Sequence, residues 1–283
     1  MAVILDGDTL AADLRLELAT RAADSAFVRA GGRPGLTTIL VGEDRASRAY
    51  VTRKHDDCAQ LGFAARSIEL PSDTSEAAVQ AAVRQENDDP SCHGVLVQFP
   101  LPPHLDPAIF RAAVRVDKDV DGLHPVNLGH LLTGEYGLRP CTPQGILLLL
   151  RHYGVPLAGR RVAIVGRGLL VGRPLAVMAA QPGIDAVPTL LHRGASNMAE
   201  ILRESDVIVA AAGVPDLVTA AMVKPGAAVV GVGISYRDGA MVSDIADDVA
   251  TLAGHVTPRH GSVGALTRAM LMRNLLEAAL ASA

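Results

Sequence analysis

The chain has 283 residues, more than one average domain, with 49% hydrophobic and 20% charged residues and its 27 Gly and 17 Pro spread along the length, the make-up of a globular protein. A net charge of -4 with scattered Lys and Arg excludes an electrostatic nucleic-acid footprint, and no apolar run reaches the ~18 residues needed to span a bilayer. Tryptophan is absent and aromatics make up 3%, so the cores must be aliphatic.

From the N-terminus, Asp8 is the expected cap of a helix running to about Ala30, ended by the Gly31–Gly35 turn. Leu36–Val41 reads as a buried strand, Ser47–Leu61 as a helix, Phe63–Leu70 as a strand, Ser75–Asn87 as a helix and Gly94–Gln98 as a third strand. Residues 117–143 are turn-rich, with His124 read as a cap or turn partner. Thr142 and Pro143 look like an N-cap and N1 for a helix through Tyr153, and the domain boundary is placed there. Strands follow at Arg161–Val165, Val187–Leu191, Val207–Ala211 and Ala227–Val232. A last helix, Val263–Ala281, is about 28 Å long at roughly 1.5 Å per residue, enough to return to the first domain. This alternation is that of an α/β protein with mostly parallel strands.

No basic segment leads into an apolar stretch at the N-terminus, so no secretory signal is read, and a cytoplasmic location is expected. Cys58, Cys92 and Cys141 form no framework and no metal-binding spacing, which predicts buried, reduced thiols and no metal. His104, His124 and His130 are too dispersed for a metal site, and Ser47 and Ser235 have no His/Asp partner set.

Two constellations carry chemistry. Tyr50 and Lys54 stand at i, i+4, which on a helix puts a phenol and an amine on one face. That pairing suits a flat heterocycle needing acid/base help, although alone it is ordinary solvated helix surface. Gly166, Gly168 and Gly172 follow a strand and open a helix, so the backbone can approach a pyrophosphate at a helix N-terminus. Past the next strand, where an NAD-selecting carboxylate is usual, stand His192 and Arg193. Together with Arg167, Arg193 points to NADP, because a cation attracts a 2′-phosphate.

Five runs in this order resemble the bacterial bifunctional methylenetetrahydrofolate dehydrogenase/methenyltetrahydrofolate cyclohydrolase family over essentially the whole chain. They are Ser47–Lys54 (S-x-x-Y-V-x-x-K), Gly94–Pro102 (GVLVQFPLP), Asp117–Asn127 (DKDVDGLHPVN), Arg139–Gly145 (RPCTPQG) and Gly166–Pro174 (GRGLLVGRP). The resemblance implies an N-terminal α/β catalytic domain of residues 1–141 completed by 263–283, and a C-terminal Rossmann-type NADP-binding domain of residues 142–262. It also implies a homodimer, with ligands meeting in a cleft between the domains. The activities implied are oxidation of 5,10-methylenetetrahydrofolate with NADP and hydrolysis of the methenyl product to 10-formyltetrahydrofolate.

Lys54 is thereby expected as the acid/base group, Gln98 as its hydrogen-bond partner, Tyr50 as a border to the folate, and Asp121 as the holder of the pterin amide and amino group. Val97, Pro100, Leu101, Gly261 and Leu266 complete the implied substrate contacts. Val171, Arg173, Pro174, Ala212, Gly213 and Ile234 join Gly166, Arg167, Gly168, Gly172, His192 and Arg193 as implied cofactor contacts.

Two departures stand out. The family's Pro-Gly-Gly-Val-Gly-Pro-Met-Thr run is His260–Thr267 here (HGSVGALT), which is expected to alter loop rigidity. Gly231 replaces a carboxylate, an expected loss of a polar anchor. Both fall on the dehydrogenase side, so the alternative is a divergent paralogue that keeps ligand binding or only cyclohydrolase activity. A two-domain NADP dehydrogenase of amino-acid or shikimate type has no account of Gly94–Pro102 or Asp117–Asn127.

Overall fold

A computed structural model describes residues 2–237, 240–259 and 261–282, with only the backbone described for Ile234, Tyr236, Arg237 and Ala240. The expected departure at His260 and the Ile234 side chain therefore lie outside the described residues. The chain forms two compact units, Met1–Ala11 with Thr142–Thr267, and Ala12–Cys141 with Arg268–Ala283. The expected catalytic domain began at residue 1. The first residues group instead with the other unit, because β1 (Val3–Ile4) hydrogen-bonds in parallel to a strand at His255–Val256.

Helix α1 (Gly7–Asp24) starts one residue before the expected cap. Asp6, not Asp8, caps it: Asp6 Oδ1 accepts from the backbone N–H of Asp8 (3.0 Å) and Thr9 (3.1 Å). The helix also stops short of Ala30, because the Ser25 hydroxyl accepts from Val28 N–H and starts a separate turn, α2 (Ala26–Arg29).

The unit holding residues 12–141 is built on β2 (Gly35–Val41), with all seven residues buried, and α3 (Arg45–Gln60), capped by Asp44. Then come β3 (Ala64–Leu70), α4 (Glu76–Asp88), β4 (Gly94–Val97) and α5 (Pro107–Ala113). The strands lie parallel in the order β3-β2-β4. Ile39, Val41, Val79, Val83, Val95, Val97 and Phe110 close an aliphatic core, as the composition required.

The stretch expected to be irregular contains a helix, α6 (Pro125–Thr133). His124 Nδ1 accepts from Val126 N–H at 3.0 Å, Pro125 fills the first turn, and Gly134 ends the helix at φ 79°. Helix α7 (Cys141–His152) begins ahead of the expected Thr142 cap, since the Thr142 hydroxyl is engaged with that of Thr267 at 3.0 Å.

The unit holding residues 142–267 follows with β5 (Arg161–Val165), α8 (Gly172–Ala179), β6 (Val187–Leu191), α9 (Met198–Glu204), β7 (Val207–Ala210) and β8 (Ala228–Gly231). A hairpin of β9 (Ile234–Arg237) and β10 (Ala240–Ser243) and the strand β11 (His255–Val256) precede α10 (Val263–Ala281). Among the described residues these strands form a parallel six-stranded sheet, β1-β11-β8-β7-β5-β6. Its core is again aliphatic, built on Ala163, Val165, Ile208, Val229 and Val256. The last part of α10, Arg268–Ala283, belongs to the unit of residues 12–141, and Met272 on it meets the Cys58 thiol at 3.5 Å.

Ser262 is fully buried at φ 64° and ties the loop before α10 to the start of α1. Its hydroxyl donates to Leu5 C=O (2.9 Å) and accepts from Gly7 N–H (3.1 Å), while its own N–H donates to Asp8 Oδ2 (2.9 Å). The loop whose rigidity the sequence departure was expected to alter is thus anchored by the departing residue itself. Ser262→Ala leaves a buried carbonyl and a buried N–H unpaired, so a loss of about 1–3 kcal/mol is expected in denaturant unfolding. An unchanged midpoint and slope contradict this assignment.

Candidate active site

Helix α3 carries the first constellation. Its face at Ser47, Val51, Lys54, Asp57 and Cys58 is buried, and Tyr50 lies at the edge of it, half-buried. Lys54 Nζ sits 4.6 Å from the Tyr50 ring centroid and donates to Gln98 Oε1 at 2.9 Å. Strand periodicity explains the partner: Val95 and Val97 turn into the core, while Gln98, just past β4, turns to the opposite side. Gln98 Nε2 donates to Phe99 C=O at 2.6 Å, which fixes the amide with its oxygen toward the lysine.

Lys54 is 4% exposed, and burial pushes its amine below the usual lysine range, against the opposing pull of the Asp121 carboxylate. Burial likewise holds the Tyr50 phenol above its ordinary value and raises the Asp121 carboxyl, the latter opposed by Lys54. Lys54 therefore has a neutral acceptor where most buried amines have a carboxylate. An amide orients the amine without locking its proton in place.

Asp121 is presented by a turn that Asp119 organises. The buried Asp119 carboxyl accepts from Leu123 N–H, His124 N–H and Asn127 Nδ2 at 3.2, 2.7 and 2.8 Å, and burial pushes it up to about 7. Gly122 takes φ 70°, and a Cβ there would stand 2.2 Å from the Arg139 carbonyl carbon, so Asp117–Asn127 packs against the Arg139–Pro140 backbone. From α10, Asn274 Nδ2 donates to both Val120 C=O (2.8 Å) and Arg139 C=O (2.9 Å). Asn274 was missed in the sequence because its partners lie over 130 residues away. The Cys141 thiol is buried and donates to Val120 C=O at 3.3 Å, a packing role.

Tyr50, Lys54, Gln98 and Asp121 thus belong to one unit, with Pro100 exposed and Leu101 partly buried beside them in sequence. The side chains of two implied substrate residues are packed inside the fold. Val97 faces the core, and Leu266 is fully buried, its Cβ 3.0 Å from where a Cβ on Gly145 would lie. Gly261 adopts φ 86°, and a Cβ there would stand 2.2 Å from Asp8 Oδ2, so both backbone and space favour glycine.

The second constellation lies in the other unit. A Cβ on Gly172 would fall 1.7 Å from Gly166 C=O, so the close approach of turn and helix demands glycine there. A Cβ on Gly168 would meet nothing within 4 Å; packing does not require that glycine. Helix α8 opens after Val171 without a side-chain cap, with Arg173 exposed and Pro174 buried in its first turn. Arg167 and Arg193 are exposed and form no ion pair among the described residues. His192 Nδ1 accepts from Gly194 N–H at 3.1 Å, a turn contact.

Asp244 was not singled out in the sequence. Fully buried, its carboxylate accepts from Ala212, Gly213 and Val214 N–H at 2.6, 3.0 and 2.8 Å. The N–H groups of Ala212 and Gly213 are therefore already engaged, and Asp244 supplies a polar anchor of the kind expected to be missing at Gly231. A side chain at Gly231 would meet Ser243 Oγ at 2.7 Å, so the absent carboxylate matches the space that Ser243 fills.

Comparison with known proteins covers the stretches that hold both constellations. Residues 5–121 match the sequence model of the tetrahydrofolate dehydrogenase/cyclohydrolase catalytic domain, and residues 140–283 that of its NAD(P)-binding domain. The structure is similar to a bifunctional methylenetetrahydrofolate dehydrogenase/cyclohydrolase from Campylobacter jejuni (34% identity, 99% of each chain, TM-score 0.94). A methylenetetrahydrofolate dehydrogenase from the silkworm Bombyx mori is equally similar, at 34% identity, 99% of each chain and TM-score 0.94. The Trypanosoma brucei dehydrogenase-cyclohydrolase, solved with NADP cofactor and inhibitor, shares 37% identity over 98% of this chain and 97% of its own, with TM-score 0.92. With both domain models matched in order and relatives above 30% identity along nearly the full length, the chain belongs to the tetrahydrofolate dehydrogenase/cyclohydrolase family.

Proposed function

We propose that the protein oxidises 5,10-methylenetetrahydrofolate with NADP and hydrolyses 5,10-methenyltetrahydrofolate to 10-formyltetrahydrofolate, with Lys54 as the proton-transferring group of the hydrolysis. The observation that carries the reading is the buried Lys54 amine, bonded to a neutral amide and set against a tyrosine ring. Burial favours the neutral amine, so Nζ can take a proton from water as its oxygen joins the methenyl carbon. The same Nζ can return that proton to the departing ring nitrogen as the carbon–nitrogen bond opens. Gln98 holds Nζ in place throughout, and Tyr50 borders the flat ring system. Asp121 accepts the paired N–H groups of a pterin edge, a task its carboxylate suits.

The second unit fits a dinucleotide. Gly168 leaves room for close approach at the opening of α8, and the exposed Arg167 and Arg193 provide positive charge suited to a 2′-phosphate. Bound there, NADP supplies the hydride acceptor. No observation favours the divergent paralogue, since the departures at Gly231 and Ser262 are compensated within the fold. A homodimer in the cytoplasm belongs to the same reading: the buried, free thiols support a reducing compartment, and light scattering of the purified protein checks the dimer.

Each half-reaction is followed by absorbance. Wild type is expected to reduce NADP with methylenetetrahydrofolate and to hydrolyse the methenyl form, while Lys54→Met loses cyclohydrolase activity by about 10²-fold or more. Full cyclohydrolase activity in Lys54→Met contradicts the assignment. The same variant is expected to be more stable than wild type at neutral pH. A lysine lowered by folding binds its proton more readily in the unfolded chain, so wild-type stability rises with pH up to the usual lysine range, and the gap closes there. A Tm gap that does not change with pH counts against a neutral Lys54.

Arg193→Asp is expected to lower the preference for NADP over NAD by about tenfold or more, read from the ratio of kcat/KM values. An unchanged ratio removes Arg193 from the cofactor site.

A further inference from the structure

Asp57 lies one turn beyond Lys54 on the buried face of α3, and two guanidinium groups from distant parts of the chain converge on it. Arg268 Nε, from α10, donates to Oδ2 at 2.7 Å, and Arg15 Nη1, from α1, stands 3.7 Å from Oδ1. The side chains are largely shielded, at 15% and 19% exposure for the two arginines and 6% for Asp57. Two positive charges against one negative leave the cluster with a net positive charge.

One arginine would suffice to neutralise Asp57. A second, mostly out of water, adds a desolvation cost that stability alone does not explain. What the excess charge faces offers an explanation. Around Lys54, α3 itself contributes Tyr50 and the partly buried His55. Gln98 comes from beyond β4, Asp121 from the turn before α6, Cys141 from the start of α7 and Arg268 from α10. The Cys141 thiol is held protonated by burial, which leaves Asp121 as the group in this set whose charge favours a protonated amine. Arg268 opposes it.

We propose that Arg268, held by Asp57 one turn along α3 from Lys54, is a positioning residue for Lys54: its permanent positive charge, only partly offset by Asp57, maintains the neutral form that accepts a proton. This rests on the reading of Lys54 as the proton-transfer group. Arginine suits the task because a guanidinium keeps its charge in a shielded setting where a lysine would give up its proton. Asp57 fixes the guanidinium and attenuates it, so the two residues act on Lys54 with opposite sign.

The opposite signs provide the test, read from the acid limb of the cyclohydrolase pH profile, where Lys54 becomes protonated. Arg268→Met is expected to move its midpoint up by about one pH unit, a roughly tenfold loss of rate below the midpoint with little change on the alkaline plateau. Asp57→Asn, which leaves both arginines, is expected to move the midpoint the other way. Midpoints that stay fixed in both variants, or move in the same direction, overturn the proposal. Should Arg268→Met fail to fold, the sign of the Asp57→Asn shift decides alone: acidward supports the proposal, no shift or an alkaline one overturns it. Lys54→Met run alongside separates the two levels. An inactive Lys54→Met with unmoved midpoints sinks only the role of Arg268, whereas a fully active one removes the reading beneath it.

Discussion

A buried amine without a carboxylate partner is the constraint around which one unit is arranged. Folding an ammonium into a dry setting is costly unless it is paired, so a lysine there either gains a counter-charge or gives up its proton. Lys54 has Gln98, a neutral acceptor, and Gln98 is held by the Phe99 carbonyl so that its oxygen cannot turn away. The amine is kept in one place and left free to change its protonation state. Those are the two properties a proton-transfer group needs, and a salt bridge would secure only the first.

The arrangement depends on contacts between parts of the chain that are far apart in sequence. Asn274 on the last helix bonds the carbonyls of Val120 and Arg139, bringing the Asp117–Asn127 and Arg139–Gly145 runs to one place. Arg268, on the same helix, reaches Asp57 on α3. At the front of that helix, Ser262 accepts a positive φ that glycine would take at lower cost, and offsets it with bonds to Leu5, Gly7 and Asp8. In the other unit, Asp244 gathers three successive N–H groups at Ala212–Val214, stiffening a loop beside the glycine-rich turn's strand.

What was legible in the sequence is what local physics determines. The strands at Arg161–Val165 and Val187–Leu191 and the helix at Val263–Ala281 were readable to the residue, because predominantly apolar segments bounded by Gly or polar turns admit few alternatives. The shared face of Tyr50 and Lys54 followed from i, i+4 spacing alone. Helix α6 was hidden because Pro125 and Gly134 read equally well as turn residues or as the two ends of a short helix. The cap of α1 was misplaced by two residues because Asp6 and Asp8 are equivalent candidates until Ser262, more than 250 residues away, engages Asp8. For the same reason Asp57, Arg268, Asn274 and Asp244 carried no local signal. Gly231 and Ser262 looked like losses because their compensating partners, Ser243 in one case and the first turn of α1 in the other, come from other parts of the chain.

The most direct measurement of the central claim is the protonation state of Lys54 itself, read by nuclear magnetic resonance from a protein carrying nitrogen-15 in its lysine side chains, with Lys54→Met to assign the signal. The account predicts a nitrogen that titrates below its surface counterparts, losing its charge at a pH where they keep theirs. A Lys54 nitrogen that stays charged up to the ordinary lysine range, about pH 10.4, contradicts it.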